Sequence, residues 1–473
     1  MQLRPLKTIA LLISGCLATI CHSVHLAQAA PHPDGEVKIE IVDAATGKPI
    51  PARMHLYSGR PAAPNATGKT RPRRSVKLNL PGSAEFGNHF YVDGAVTLPL
   101  KVGQYSFELE ATPEYLTQSG QFEIERHADD SKKIEMKRFV DLEKEGWFGG
   151  DLDTNRNGKD LPLILRSEGL QVVPQVPATK TSGDAPLVID GHPIAAIPYA
   201  WNLPIWLAGG EVEAIEIINR HALREGVVDK EDDGRPRDKT LFPGSRGNGR
   251  WSETVYYHVL NCGFRIPPVA GSGSGANDNP VGTNRVYVDC GSEFSTAAWW
   301  EGLQAGRVFV TNGPLLRPSV QGQPPGKVFY SPSGKTFELE IGLSLATRVP
   351  VEYLQIIKDG EVLYEVRLAE WKDHKGKLPP VSFDASGWFL VRAVTNNSQT
   401  YQFASSGPYY VEMADKPRVS RKSVQFFLDW ITAAEARLRT LPKISDEERA
   451  VQLAHHETAR KFFTGLLATA NAE

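Results

Sequence analysis

Gly146-Trp-Phe-Gly-Gly-Asp-Leu-Asp-Thr-Asn-Arg156 decides how the middle of this 473-residue chain is read. Apolar Trp147 and Phe148 lead into two glycines, after which Asp151, Asp153 and Asn155 alternate with Leu152 and Thr154. Alternate residues of an extended segment share a face. Three oxygen-bearing side chains therefore point the same way just past a glycine bend. Such a set suits a cation or a polar substrate. The same residue types also make an ordinary solvated loop.

Around this stretch, residues 141–325 alternate short strand-like runs with helix-compatible segments and glycine-rich loops, an α/β layout. Residues 170–174, 194–197, 214–218 and 285–288 read as strands. Residues 160–169 read as a short helix closed by Gly169, with further helices over 252–261 and 299–304. On the N-terminal side, residues 35–140 read as a small β-domain. Val37, Ile39 and Ile41 alternate with Lys38 and Glu40, as do Tyr105, Phe107 and Leu109 with their neighbours. Asp93-Gly94 after Phe90-Tyr-Val92 predicts a hairpin, and residues 59–75 read as a long exposed loop. On the C-terminal side, residues 326–415 return to β-pattern, with Asp359-Gly360 joining two strand-like runs as a second hairpin. Residues 416–473 form a helical tail. Phe427, Trp430, Ile431, Ala434, Leu438 and Leu441 make one apolar stripe, Pro442 ends it, and Ser445-Asp-Glu-Glu448 is a capping box for a second helix.

Hydrophobic residues are 41% and charged residues 23%, enough apolar content for several cores. A net charge of −2 argues against nucleic acid as a bulk partner. Residues 1–29 read as an export signal: Arg4 and Lys7, an apolar run over 8–21, and Ala27-Gln28-Ala29 for cleavage. A periplasmic or extracellular location follows. Ile13-Ser-Gly-Cys16 offers the alternative of a lipid anchor on Cys16. No other run is long and apolar enough for a transmembrane anchor. Cys262 and Cys290 remain in the mature chain, either paired or as two buried thiols, and no cysteine-based zinc pattern exists. Nothing here sets the oligomeric state.

The unusual polar residues concentrate in the middle region. His192-Pro193 follows Asp190-Gly191, and Glu216 sits in an isoleucine-rich run ending in Asn219-Arg220-His221. Gly244–Trp251 reads as a loop whose amides and two arginines suit an anion. Ala270-Gly-Ser-Gly-Ser-Gly-Ala-Asn-Asp278 is another glycine/serine loop, without the ending of a P-loop, and no nucleophile-elbow motif is present. Polar loops after successive strands are similar to the mouth of a β/α barrel.

Gly146-Trp-Phe-Gly-Gly-Asp-Leu152 resembles the opening strand of the PHP (polymerase and histidinol phosphatase) domain of CehA/McbA-type metallohydrolases. The resemblance continues through Trp201–Leu207, Asn219–His221, Gly247–Trp251, Asn261–Pro268, Asn279–Arg285 and Thr311–Leu316. It is greatest with exported, planctomycete-type members that carry β-sandwich flanks. The implied architecture is a PHP-like distorted β/α barrel over 141–325 between two β-sandwiches, the first (35–140) of carboxypeptidase-regulatory or transthyretin-like type. The family motif Gly-Asp-x-His-x-His has Asp153 and Asn155 here in place of the two imidazole ligands. Its later Gly-Ser-Asp-x-His falls on Gly271-Ser-Gly-Ser-Gly275, which has neither acid nor imidazole. Oxygen ligands prefer harder ions than zinc.

Three readings of function follow. In the first, a metal-dependent hydrolase holds Mg, Mn, Ca or Zn on Asp151, Asp153, Asn155, His192, Glu216 and His221 and attacks an ester, phosphoester or carbohydrate-linked substrate, with Arg156 and Arg250 on an anionic group. In the second, the metal site is degenerate and the barrel is a non-catalytic module for a small-molecule or carbohydrate ligand. Asn219, Trp251, Tyr257, Ser272, Ser274 and Asn277 would line its cleft. The third, a metal-free carboxylate pair, fits poorly, because Asp151 and Asp153 stand side by side instead of facing each other.

Overall fold

The computed structural model describes residues 33–60, 74–78, 80–156, 158–176, 185–231, 234–331, 335–373, 376–414, 416–442 and 444–473. The expected export signal, Cys16 included, and most of the expected 59–75 loop lie outside these residues. The chain is β-rich, with a few helices and a helical C-terminal tail.

Two sheets build the N-terminal region. Strand Gly35–Asp43 lies between Ala95–Leu100, antiparallel to it, and Asp129–Met136, parallel to it. The second sheet runs Ala84–Phe86, His89–Asp93, Pro51–Ser58, Gly103–Glu110, Gln118–Ile124. Ile39, Ile41, Met54, Leu56, Phe107 and Leu109 meet in the core between them. Asp93-Gly94 does not make a hairpin. His89–Asp93 pairs with Pro51–Ser58, whereas Ala95–Leu100 pairs with Gly35–Asp43, so the chain changes sheets at Gly94. Gly94 has φ +75°, and an added Cβ would lie 2.7 Å from Pro49 Cβ. A glycine followed by an apolar run therefore marks a crossing as readily as a turn.

The middle region has strands His192–Ala195, Ala214–Ile218 and Pro268–Ala270 side by side and parallel. Trp147–Gly150 lies in a different sheet, parallel to Leu170–Val172 and antiparallel to Arg285–Asp289. The chain just beyond it links the two sheets. Leu152 and Asn155 donate backbone hydrogen bonds to Ala270 and Ser274, while Asp151 donates to Val172 and Val176 donates to Thr154. The opening stretch thus sits between the third parallel strand and residues 172–176.

Val308–Thr311 pairs antiparallel with Phe403–Ser406, so one ten-stranded sheet runs from the middle region into the C-terminal one. Asp359 and Gly360, at φ +52° and +92°, form the expected tight turn between Val351–Lys358 and Glu361–Arg367. The Phe337–Ile341 run divides instead. Phe337–Leu339 pairs with Val381–Phe383, and Ile341–Ala346 pairs with Leu315–Val320.

The tail consists of helices Arg421–Thr440 and Asp446–Ala468, the second opened by the reciprocal Ser445/Glu448 capping box. Phe427, Trp430, Ile431 and Phe463 join the core of the middle region beside Trp251 and Val255. Each such side chain contributes roughly 2 kcal/mol by the area it removes from water. Among the described residues, no helix is long and apolar enough to cross a membrane. Cys262 and Cys290 are free thiols, not a disulfide.

Candidate functional site

Asp151 and Asp153 are both buried, and Leu152, where the chain bends between them, joins the core. Asp151 is fully buried. Its Oδ1 accepts the backbone N–H of Ser272 (2.8 Å) and of Asp153 (3.3 Å), and its Oδ2 accepts that of Gly282 (2.7 Å). Burial pushes its pKa up to about 7, against the pull of the Ser272 and Gly282 donors.

Glu216 reaches the same place from the middle parallel strand. Gly271 keeps the two elements close: a Cβ there would overlap Asp153 Cβ and come 2.9 Å from Glu216 Oε1. Both carboxyl oxygens of Glu216 are buried with no hydrogen-bond partner. Burial first, and then the Asp153 charge, raise its pKa well above the ordinary glutamate value.

The third carboxylate is held by a cation from the chain itself. Arg220 Nε and Nη2 donate to Asp153 Oδ2 at 2.8 and 2.6 Å, and Nη2 also lies 2.8 Å from Oδ1. Burial raises the Asp153 pKa, and the Arg220 guanidinium pulls it part of the way back. A bidentate guanidinium–carboxylate pair is a strong, oriented contact. The cluster is therefore three buried acids, two with pKa values raised by burial and one paired with Arg220.

Amide side chains lock the surrounding loops. Asn284 Nδ2 donates to the carbonyls of Asn219, Ala222 and Gly271, each at 3.0 Å. Asn277 Nδ2 donates to the carbonyls of Arg220 (2.9 Å) and Ser272 (3.3 Å). Asn219 accepts from His221 N–H and donates to Ser252 Oγ. Ser272 Oγ accepts the N–H of Ser274, whose own Oγ is buried without a partner. Asn219, Ser272 and Asn277 thus spend their polar groups within the protein itself, and Ser274 Oγ is left without a partner.

Several expected ligands are elsewhere. Asn155 has an exposed side chain and contributes backbone only, donating to Ser274 O at 2.7 Å. His192 stacks on Trp300 at 4.3 Å and bonds Glu213 at 2.7 Å. Since Ile194 is level with Ala214, His192 lies four residues back along the strands from Glu216, about 13 Å at ~3.3 Å per residue. His221 bonds Tyr199 through Nδ1, and Tyr199 in turn takes a bond from Asn248, a separate buried network. Asp151, Asp153 and Glu216 come together; Asn155, His192 and His221 do not join them. Among the described residues, no group of three or more His, Cys, Asp or Glu is disposed to hold a metal ion.

The expected anion loop is also different. Gly247–Asn261 is one continuous helix, so Gly247-Asn-Gly-Arg-Trp251 is its first turns. Its glycines serve close packing: a Cβ on Gly249 would meet the Tyr401 ring at 2.6 Å. Arg250 is exposed on that helix. Trp251 packs against Trp430 and Phe426 of the tail, and Tyr257 against Trp388, so both are core residues instead of cleft walls. Arg156 lies over the Phe86 ring of the N-terminal region at 3.9 Å. Arg220, the residue that governs the cluster, is visible in the sequence only as the middle of Asn219-Arg-His221; an arginine two residues beyond a buried strand that contains an acid is the available signal.

No family model matches the chain, and no curated protein matches it. Among solved structures, the fibronectin(III)-like modules of Clostridium thermocellum CbhA match at 12% identity over 28% of this chain, with a TM-score of 0.15. The chain spans 62% of that structure's length, and a superposition this poor carries no argument about the site.

Proposed function

We propose that this chain is an exported, non-catalytic ligand-binding module on a PHP-like distorted β/α barrel, a CehA/McbA-type relative whose metal centre has been replaced by an internal ion pair. The observation that carries this is Arg220 gripping Asp153 beside the buried, unpartnered Glu216 carboxyl. A divalent ion needs several ionised oxygen donors free to turn toward it. Here one carboxylate is occupied by a guanidinium, a second accepts three backbone N–H groups, and the third is favoured neutral. The donor set does not fit Mg, Mn, Ca or Zn, and we derive no hydrolytic step. Three parallel strands with the opening stretch beside them, and acids near their carboxyl ends, support the barrel reading. The Ala27-Gln-Ala29 signal supports export.

Elemental analysis of protein purified after growth in mixed metals tests the reading. Metal well below one equivalent per chain is expected, and Arg220→Met should take up more Mn or Mg than the parent. One tightly bound equivalent in the parent would overturn the proposal.

A further inference from the structure

A cavity of about 250 Å³ lies where the N-terminal, middle and C-terminal regions meet, and four arginines and two glutamates line it. Arg53, from the N-terminal sheet, donates to Glu168 at 2.6 Å and also pairs with Glu110. Arg224 donates to Glu110 at 2.6 Å. Arg285 lies 3.2 Å from Glu168 and further donates to the carbonyls of Glu168 and Gly282. Two carboxylates are thus shared among three arginines in four ion pairs before Arg348 is counted.

Arg348, from the C-terminal region, is left over. Its Nη2 lies 3.8 Å from Glu110, beyond hydrogen-bond reach, and its Nη1 has no hydrogen-bond partner. Its side chain is 23% exposed, while Nη1 itself is buried. Burial presses hardest against the charged form of Arg348 and the like charges of Arg53 and Arg224 add to it, while Glu110 and, more weakly, Glu168 draw the other way. A partly buried surplus of guanidinium groups is costly unless a counter-charge satisfies it. Among the described residues lining the cavity, Glu110 and Glu168 are the counter-charges and both are already paired with the other three arginines, and the volume corresponds to roughly eight waters at ~30 Å³ each.

We propose that this cavity binds a small dianion, the phosphate or sulfate group of a small molecule, with Arg348 as its principal grip. Guanidinium forks match the oxygens of such groups bidentately. The size admits a compact ester and excludes a polymer. The backbone of Gly282 separates this cavity from the acid cluster: its N–H goes to Asp151 and its carbonyl to Arg285. The proposal therefore stands whether or not the acid cluster takes a metal.

The test is calorimetric titration of the whole mature chain with inorganic phosphate, inorganic sulfate and, as a monoanion control, acetate. Phosphate or sulfate should bind and raise the melting temperature, and acetate should not. Arg348→Ala should weaken dianion binding about tenfold or more without lowering the ligand-free melting temperature, because Arg348 loses only a loose contact with Glu110 and its burial opposes the charge. Arg348→Lys, which retains charge but not the fork, should fall between, and exposed Arg439→Ala should bind as the parent does. A preference between phosphate and sulfate identifies the ester. Absence of binding by either dianion, equal response to acetate, or unchanged affinity in both Arg348 variants would overturn the proposal.

Discussion

Glu216→Gln offers the most direct probe of the acid cluster. The carboxyl is fully buried, its oxygens have no hydrogen-bond partner, and Asp153 adds a like charge beside it. Its folded pKa lies well above the ordinary 4.5, so the folded state holds a proton that the unfolded state releases. The contribution of this group is fully present below the unfolded pKa and is lost as pH rises toward the folded one. Between those two values the parent loses stability at about 1.4 kcal/mol per pH unit from this group alone. Glutamine copies the neutral acid and does not titrate. Its own desolvation cost is the same at every pH, so the informative quantity is a slope. Thermal unfolding of parent and variant in chelator, from about pH 5 upward, should show the variant gaining on the parent as pH rises, by up to about 1.4 kcal/mol per unit. A difference that does not vary with pH, or a parent that gains on the variant, would mean that Glu216 is ionised in the folded chain. The self-neutralised reading of the cluster would then fail.

Arg220→Met should cost about 3–5 kcal/mol near neutral pH, because it leaves the Asp153 carboxylate buried and unpaired. With Arg220 gone, burial alone acts on Asp153 and raises its pKa further, so the loss should shrink as pH falls and Asp153 protonates; melting curves at two pH values check both points. Asn284→Ala removes one amide that serves three carbonyls and should destabilise by about 2 kcal/mol, measured by denaturant unfolding, with faster amide exchange in residues 219–222 and 271–274. Phe427→Ala should cost about 3–5 kcal/mol and release the tail, read as earlier proteolysis of residues 416–473, since its fully buried ring stacks on Trp430 and Phe463.

Local signals translated well wherever one element's own residues decided its form. Gly169, at φ +64°, closes the helix Leu161–Glu168 as its position after an apolar run implied. Ser445 and Glu448 cap their helix reciprocally, and Asp359-Gly360 turns its hairpin. Where two parts of the chain compete for the same residue, local pattern misleads. Gly94 looks like a hairpin turn because Asp-Gly favours positive φ, yet its strands belong to different sheets. Gly247 and Gly249 look like loop residues, yet packing against Phe242 and Tyr401 makes them necessary within a helix.

By itself, the sequence determines the periodicities. Phe107 and Leu109 share the core face of their strand because an extended chain repeats every two residues, and the tail is an amphipathic pair because its apolar residues repeat at helical spacing. Which partner each polar face meets was decided only by tertiary structure. Arg220 and Asp153 are 67 residues apart, and Arg53 and Glu168 are 115 apart. Arg53 occupies the polar side of a strand whose other side carries Ala52, Met54 and Leu56 into the core, and that pattern alone reads as a solvent-facing edge. The middle and C-terminal regions cover it, and the charge becomes part of a buried cavity. The meaning of a charged side chain depends on the dielectric around it and on the nearest counter-charge, and both are set by the elements that pack over it.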